Sequence, residues 1–138
     1  MYTDSHCHLS FPELVAQLPD IRQKMQAAHV TRALCICTTI EEFDQVHHLA
    51  KTYDNFWSTV GVHPDNEDIY EPTVQDLVEK GQLPRVIAIG ETGLDYFRLG
   101  SYAEIDRQQQ RFRQHIRAGI ETNKPIIIHT RDAKDDTI

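Results

Sequence analysis

Five short runs rich in β-branched residues recur along the chain, at 2–7, 33–38, 57–62, 86–90 and 125–129, and the stretches between them carry helical spacing. Leu14, Leu18, Ile21, Met25 and Ala28 fall at steps of three or four, as do Phe43, Val46, His47 and Ala50. Pro19 interrupts the first of these stretches, so it either splits the helix or marks a start at Leu18-Pro19-Asp20. Thr73 is a candidate N-cap for a helix over 73–80, with Gly81 just past its end. The longest helix is expected over 103–122, turning Ile105, Phe112, Ile116 and Ile120 to one side. Strands separated by helices predict parallel pairing through right-handed crossovers, an α/β fold.

Two architectures satisfy that alternation. A doubly wound sheet usually places a glycine-rich phosphate loop after its first strand. Here the first strand runs instead into Asp4-Ser5-His6-Cys7-His8. Later runs end in Gly61-Val62-His63-Pro64, Gly90-Glu91-Thr92-Gly93-Leu94-Asp95 and Ile126-Ile127-Ile128-His129-Thr130-Arg131. Functional side chains at the C-terminal ends of several different strands are the habit of a (β/α)8 barrel. A closed barrel takes about 250 residues, and residues 131–138 read as a helix just starting. The expectation is a partial TIM barrel of about five parallel strands, with residues 1–138 as the N-terminal portion of one barrel domain whose C-terminal part is missing.

The charge balance narrows the function. Net charge is −7, from 14 basic and 21 acidic residues, so the chain lacks the basic surface of a sequence-independent nucleic-acid binder. If the substrate is a polyanion, bound cations and a few local arginines must attract it. No apolar run approaches the roughly 20 residues that span a bilayer, and the first residues lack the basic and apolar regions of a signal peptide. A cytoplasmic location without membrane contact is the expectation. Cys7, Cys35 and Cys37 show no disulfide-framework spacing, and Cys35 and Cys37 are expected as buried thiols.

The chemistry is expected from a few side chains. His6 and His8 alternate in register, so their imidazoles share one side and make half of a metal site. Glu91 follows an otherwise apolar strand between Gly90 and Gly93, and its two oxygens suit a bridge between two cations about 3.5–4 Å apart. His129 ends a strand too apolar for an edge, and a metal is the partner such a histidine needs. His63 is expected on the active-site face, against substrate or water rather than metal. Arg131 is expected either to hold a phosphate or carboxylate, since its planar fork binds both in bidentate fashion, or to be a surface arginine at a helix start. Asp95 and Tyr96 line the pocket or cap the following loop. His29, His47, His48 and His115 fall in helical stretches without evident partners and are expected to be surface or packing residues.

The motifs Asp-Ser-His-Cys-His-Leu, Gly-Val-His-Pro, Gly-Glu-Thr-Gly-Leu-Asp-Tyr and Lys-Pro-Ile-Ile-Ile-His-Thr-Arg-Asp-Ala, spread from Asp4 to Ala133, resemble those of the TatD family of metal-dependent deoxyribonucleases. The resemblance implies a (β/α)8 barrel, two divalent metal ions and 3′ to 5′ hydrolysis of DNA phosphodiester bonds, with single-stranded DNA as substrate. By position, His6 and His8 would hold the first ion, Glu91 would bridge both as the catalytic carboxylate, and His129 would hold the second. Imidazole and carboxylate donors suit Mg²⁺, Mn²⁺ or Zn²⁺. Ser10 stands where the family usually has Asp or Asn, and its hydroxyl can still cap a helix. The family's further histidine and late Asp have no counterpart here, so the chain alone is expected to bind metal weakly and act slowly. The competing expectations are another metal-dependent hydrolysis on this scaffold, such as aminoacyl-ester or amide deacylation, and a non-catalytic remnant. No obligate protein partner is evident.

Overall fold

The computed structural model describes residues 1–138 as an open five-stranded sheet in which every pairing is parallel. The elements run β1 (Tyr2–Cys7), α1 (Pro12–Val15), α2 (Leu18–Ala27), β2 (Val30–Cys35), α3 (Phe43–Thr52), β3 (Phe56–Val60), α4 (Val74–Gly81), β4 (Val86–Asp95), α5 (Tyr102–Thr122), β5 (Ile126–Arg131) and α6 (Lys134–Thr137). Strand order is the chain order, β1-β2-β3-β4-β5. A doubly wound sheet would reverse direction at a switch point; this one never does, and its helices lie on one face. A single apolar cluster there joins the sheet (Ala33, Cys35, Phe56, Val60, Val86, Ile89) to α2, α3, α4 and α5 through Leu18, Phe43, Val46, Leu77 and Ala118. Phe43, Phe56 and Leu77 are fully buried, each worth about 1.5–3 kcal/mol of transfer free energy. The opposite face, with Thr3, Arg32, Leu34, Trp57 and Ile87, lines an open recess.

Local chemistry sets the element ends. Pro19 both separates α1 from α2 and occupies the first turn of α2, where a missing N–H costs nothing. Thr73 caps α4 in a reciprocal box with Asp76, each side chain accepting the other's backbone N–H. Gly81 is the last residue of α4 rather than the one beyond it. The second strand begins three residues earlier than its apolar run suggested, because Val30 pairs with Tyr2; Ile36 and Cys37 stay buried but lie past its end. Cys35 and Cys37 are buried free thiols as expected, and burial pushes the Cys37 thiol up to about 12.

The largest departure is β4. It does not stop at Gly90 but continues through Glu91, Thr92, Gly93 and Leu94 to Asp95, paired with β5 from Thr92↔Ile128 to Asp95↔Arg131. Glu91 therefore sits inside a strand, not after one. Two glycines permit this close approach. Gly90 (φ 145°) and Gly93 (φ 132°) take backbone conformations hostile to other residues, and a Cβ would lie 2.7 Å from the Ile127 carbonyl oxygen and 2.0 Å from that of His129.

In α5 the buried side is Gln108, Arg111, Phe112, His115, Ala118 and Gly119, while Ile120 is exposed. Ile120 thus leaves the expected apolar face, because polar side chains of the helix reach inward to the loop after β3.

Candidate metal centre

His6 and His8 from the end of β1, His63 from the loop after β3, Glu91 from within β4 and His129 from β5 come together around Glu91. A recess of about 340 Å³ is lined by His6, His8, Phe11, Thr38, His63, Asn66 and Glu91. Glu91 lies at the centre, almost wholly buried. Its Oε2 is 3.3 Å from His6 Nε2 and 3.9 Å from His8 Nε2, while Oε1 is 3.6 Å from His129 Nδ1. One carboxylate thus presents one oxygen to each of two imidazole groupings: His6, His8 and Glu91, and His63, Glu91 and His129, the donor atoms of each lying within 4.8 Å of one another.

This donor set fits divalent cations. The ion-pair partners of Glu91 are imidazoles, with no lysine or arginine among them. A buried carboxylate without a permanent cation calls for positive charge from elsewhere, and imidazole nitrogens at these separations are the ligands that would share it. The His8 ring stacks on Phe11 at 4.9 Å, which fixes its plane although its buried Nδ1 has no partner.

His129 is oriented from behind. Its Nε2 donates to Asp95 Oδ2 at 2.8 Å, which leaves Nδ1 with its lone pair towards Glu91. The other Asp95 oxygen accepts the Phe97 N–H, and the Asp95 backbone is bracketed by the Gln108 side-chain amide, at 2.8 Å on its N–H and 2.9 Å on its carbonyl. Burial works to raise the Asp95 carboxyl, but the His129 hydrogen bond, the Phe97 N–H and the nearby charge of Arg131 outweigh it and hold the group below the ordinary carboxylate range. Of the two expectations for Asp95, the loop contact is the one observed, through the Phe97 N–H, and Asp95 reaches the centre only through His129.

His63 packs edge-on against His129 at 4.4 Å between ring centroids. Burial first, and then the neighbouring His129 imidazole, lower its pKa and favour the neutral ring. Its Nδ1 accepts the Asp65 N–H at 3.2 Å, so in the neutral ring the proton resides on Nε2. Arg131 lies exposed with its guanidinium 3.6 Å from the centroid of the Phe97 ring, and it is not among the residues that line the recess.

Sequence reasoning missed the polar side chains that hold this pocket from α5. Arg111 and His115 are buried and bonded to the loop after β3: His115 Nε2 accepts the Val62 N–H at 2.9 Å and its Nδ1 donates to the Arg111 carbonyl at 2.8 Å. The expectation that the four helical histidines lack partners is corrected accordingly. His47 is buried with Nε2 on the Pro84 carbonyl at 2.8 Å, and His48 is exposed beside Thr52. His29 lies past the end of α2 in the left-handed conformation (φ 57°).

A parallel sheet in barrel order gathers imidazoles and a shared carboxylate into one candidate metal site. Comparison with known proteins agrees. The model of the TatD related DNase family matches residues 3–138, and the chain belongs to that family. It is 40% identical over 139 residues to the "Uncharacterized metal-dependent hydrolase YcfH" of Escherichia coli (strain K12), covering 98% of this chain and 51% of the relative. It is 32% identical over 133 residues to the "3'-5' ssDNA/RNA exonuclease TatD" of Escherichia fergusonii, covering 96% of this chain and 50% of the relative. The crystal structure of YJJV, a TatD homolog from Escherichia coli K12, superposes with a TM-score of 0.86 at 26% identity, covering 99% of this chain and 53% of that one. The chain spans about half the length of the curated relatives it matches. The fold is therefore one half of a TIM barrel of the TatD type. No helix is long and apolar enough to cross a membrane.

Proposed function

We propose that this pocket serves the hydrolysis of phosphodiester bonds in single-stranded DNA from the 3′ end, with two divalent cations (Mg²⁺, Mn²⁺ or Zn²⁺). The observation that carries the proposal is the division of Glu91, with Oε2 towards His6 and His8 and Oε1 towards His129. Such cations, when bound, polarise a phosphoryl oxygen and supply a nucleophile from water at neutral pH. His6, His8 and Glu91 would hold one ion, and Glu91 and His129 the other. Asp95 holds His129 Nε2, which would leave the Nδ1 lone pair for that ion.

His63 belongs to the second grouping by distance, but its tautomer argues for a different task. With Nδ1 accepting from Asp65, Nε2–H is a donor, suited to a phosphoryl oxygen rather than to a cation. Arg131 adds a fixed positive charge at the same strand ends, which matters in a chain of net charge −7. The relative named an ssDNA/RNA exonuclease supports nucleic acid as the substrate class.

The test is release of 3′-terminal nucleotides from single-stranded DNA with Mg²⁺ or Mn²⁺, run beside a panel of aminoacyl esters. Nucleotide release that Glu91→Ala abolishes, with larger loss than any single histidine change, is the expected result. Ester hydrolysis without nucleotide release would overturn the nuclease assignment while leaving the metal centre in place.

A further inference from the structure

The loop after β3, residues 61–73, carries His63 into the pocket, yet its backbone is held largely by one helix. Arg107, Arg111 and His115 recur at steps of four on α5 and so form one ridge facing that loop. The guanidinium of Arg111 is buried, 1% exposed. Its Nη1 donates to the carbonyl oxygens of His63 at 2.7 Å, Asn66 at 3.0 Å and Pro64 at 3.3 Å. Its Nε donates to Glu71 Oε2 at 2.9 Å, and its Nη2 to Glu71 Oε1. Arg107 adds a bond to the Asn66 carbonyl at 3.2 Å. The loop thus bends around a single cation, with Glu71 from its far end setting the plane of the fork.

We propose that Arg111, oriented by Glu71, is a positioning residue that fixes the His63 imidazole for substrate contact by pinning the carbonyls of His63, Pro64 and Asn66. This rests on the substrate role proposed for His63.

The geometry supports the inference in two ways. The pinned carbonyl belongs to His63 itself, whose N–H is also tied, to the Thr38 carbonyl at 2.9 Å. With both backbone groups held, the ring has little freedom beyond its own side-chain torsions. Only a planar fork serves several carbonyls and a carboxylate at once; a lysine ammonium is a point charge with no such fork, so Arg111→Lys keeps the charge and loses the clamp. A buried cation is also costly without full pairing, so a role confined to packing would be met more cheaply by an apolar side chain.

The test reads the ring directly. In metal-free protein, the ¹⁵N resonances of His63 should show one neutral tautomer with the proton on Nε2. Arg111→Lys should give averaged or doubled His63 signals while those of His129, held by Asp95, stay unchanged. Nucleotide release should fall roughly a hundredfold, the usual consequence of a misplaced catalytic contact, with Mn²⁺ affinity at His6, His8 and Glu91 retained. Should Arg111→Lys fail to fold, Glu71→Gln, which keeps a hydrogen-bonding group at an accessible position, decides by the same signals. A wild-type His63 tautomer in folded Arg111→Lys, or in Glu71→Gln where the lysine variant does not fold, overturns the proposal. The imidazole spectrum needs neither metal nor substrate, so an absence of nucleotide release in the wild type counts against the nuclease assignment alone.

Discussion

Acid should weaken this fold through His115 in a narrow and identifiable window. The imidazole is fully buried between β3 and α5, and burial pushes its pKa down from 6.5 to about 4. In the unfolded chain the ring takes a proton near its ordinary value; in the folded protein it stays neutral, accepting the Val62 N–H. Because the folded pKa is depressed, its contribution is complete above about pH 6.5 and is lost as pH falls from there to about 4. The difference of some two and a half units corresponds to about 3 kcal/mol, a large part of the stability of a domain this size. Protonation also removes the acceptor for Val62, at the root of the loop that carries His63. The assay is urea unfolding of the wild type and His115→Gln at intervals from pH 7.5 to pH 4. The variant starts less stable, but the gap between the curves should close as pH falls, since only the wild type loses this term. Carboxylates and His63 titrate in both proteins and cancel in the difference. Curves that remain parallel across the window would refute the assignment of a buried, neutral His115.

Two other perturbations follow from the same packing. In Asp95→Asn the amide keeps only one acceptor oxygen for two donors, His129 Nε2–H and Phe97 N–H. Metal affinity should fall about 10–100-fold, measured by calorimetric titration with Mn²⁺, and unchanged affinity would show that His129 needs no support. Gly93→Ala would place a Cβ 2.0 Å from the His129 carbonyl oxygen at a φ of 132°, so β4 and β5 must part. Loss of the cooperative unfolding transition is expected, and a folded variant with native metal affinity would contradict the close strand approach.

The centre was far more legible than its support. His6, His8, Glu91 and His129 stand beside apolar strand runs, where a polar side chain is conspicuous, and the structure brings all four together. Residues 91–95 looked like a loop because their polar and glycine content breaks the strand pattern, whereas the glycines are what let the ladder to β5 continue. Gln108, Arg111 and His115 gave no signal in the apolar spacing. Hydrophobic periodicity finds an apolar face, and α5 instead turns polar groups inward, each matched to backbone carbonyls or N–H groups at the end of β4 or in the loop after β3 that only the fold brings near. A ridge of long polar side chains at steps of four, beside a weak apolar stripe, is the trace such a helix leaves in sequence. Ile120 belonged to that stripe by spacing and is exposed because packing followed the polar ridge.

The central claim is that Glu91 is shared between two cations. Anomalous diffraction from crystals soaked in Mn²⁺ measures this directly. Two peaks about 3.5–4 Å apart are predicted, one within ligand distance of Glu91 Oε2, His6 and His8, the other of Glu91 Oε1 and His129, and both absent in Glu91→Ala. A single peak that leaves one Glu91 oxygen without a cation, or peaks that survive the substitution, would contradict the account.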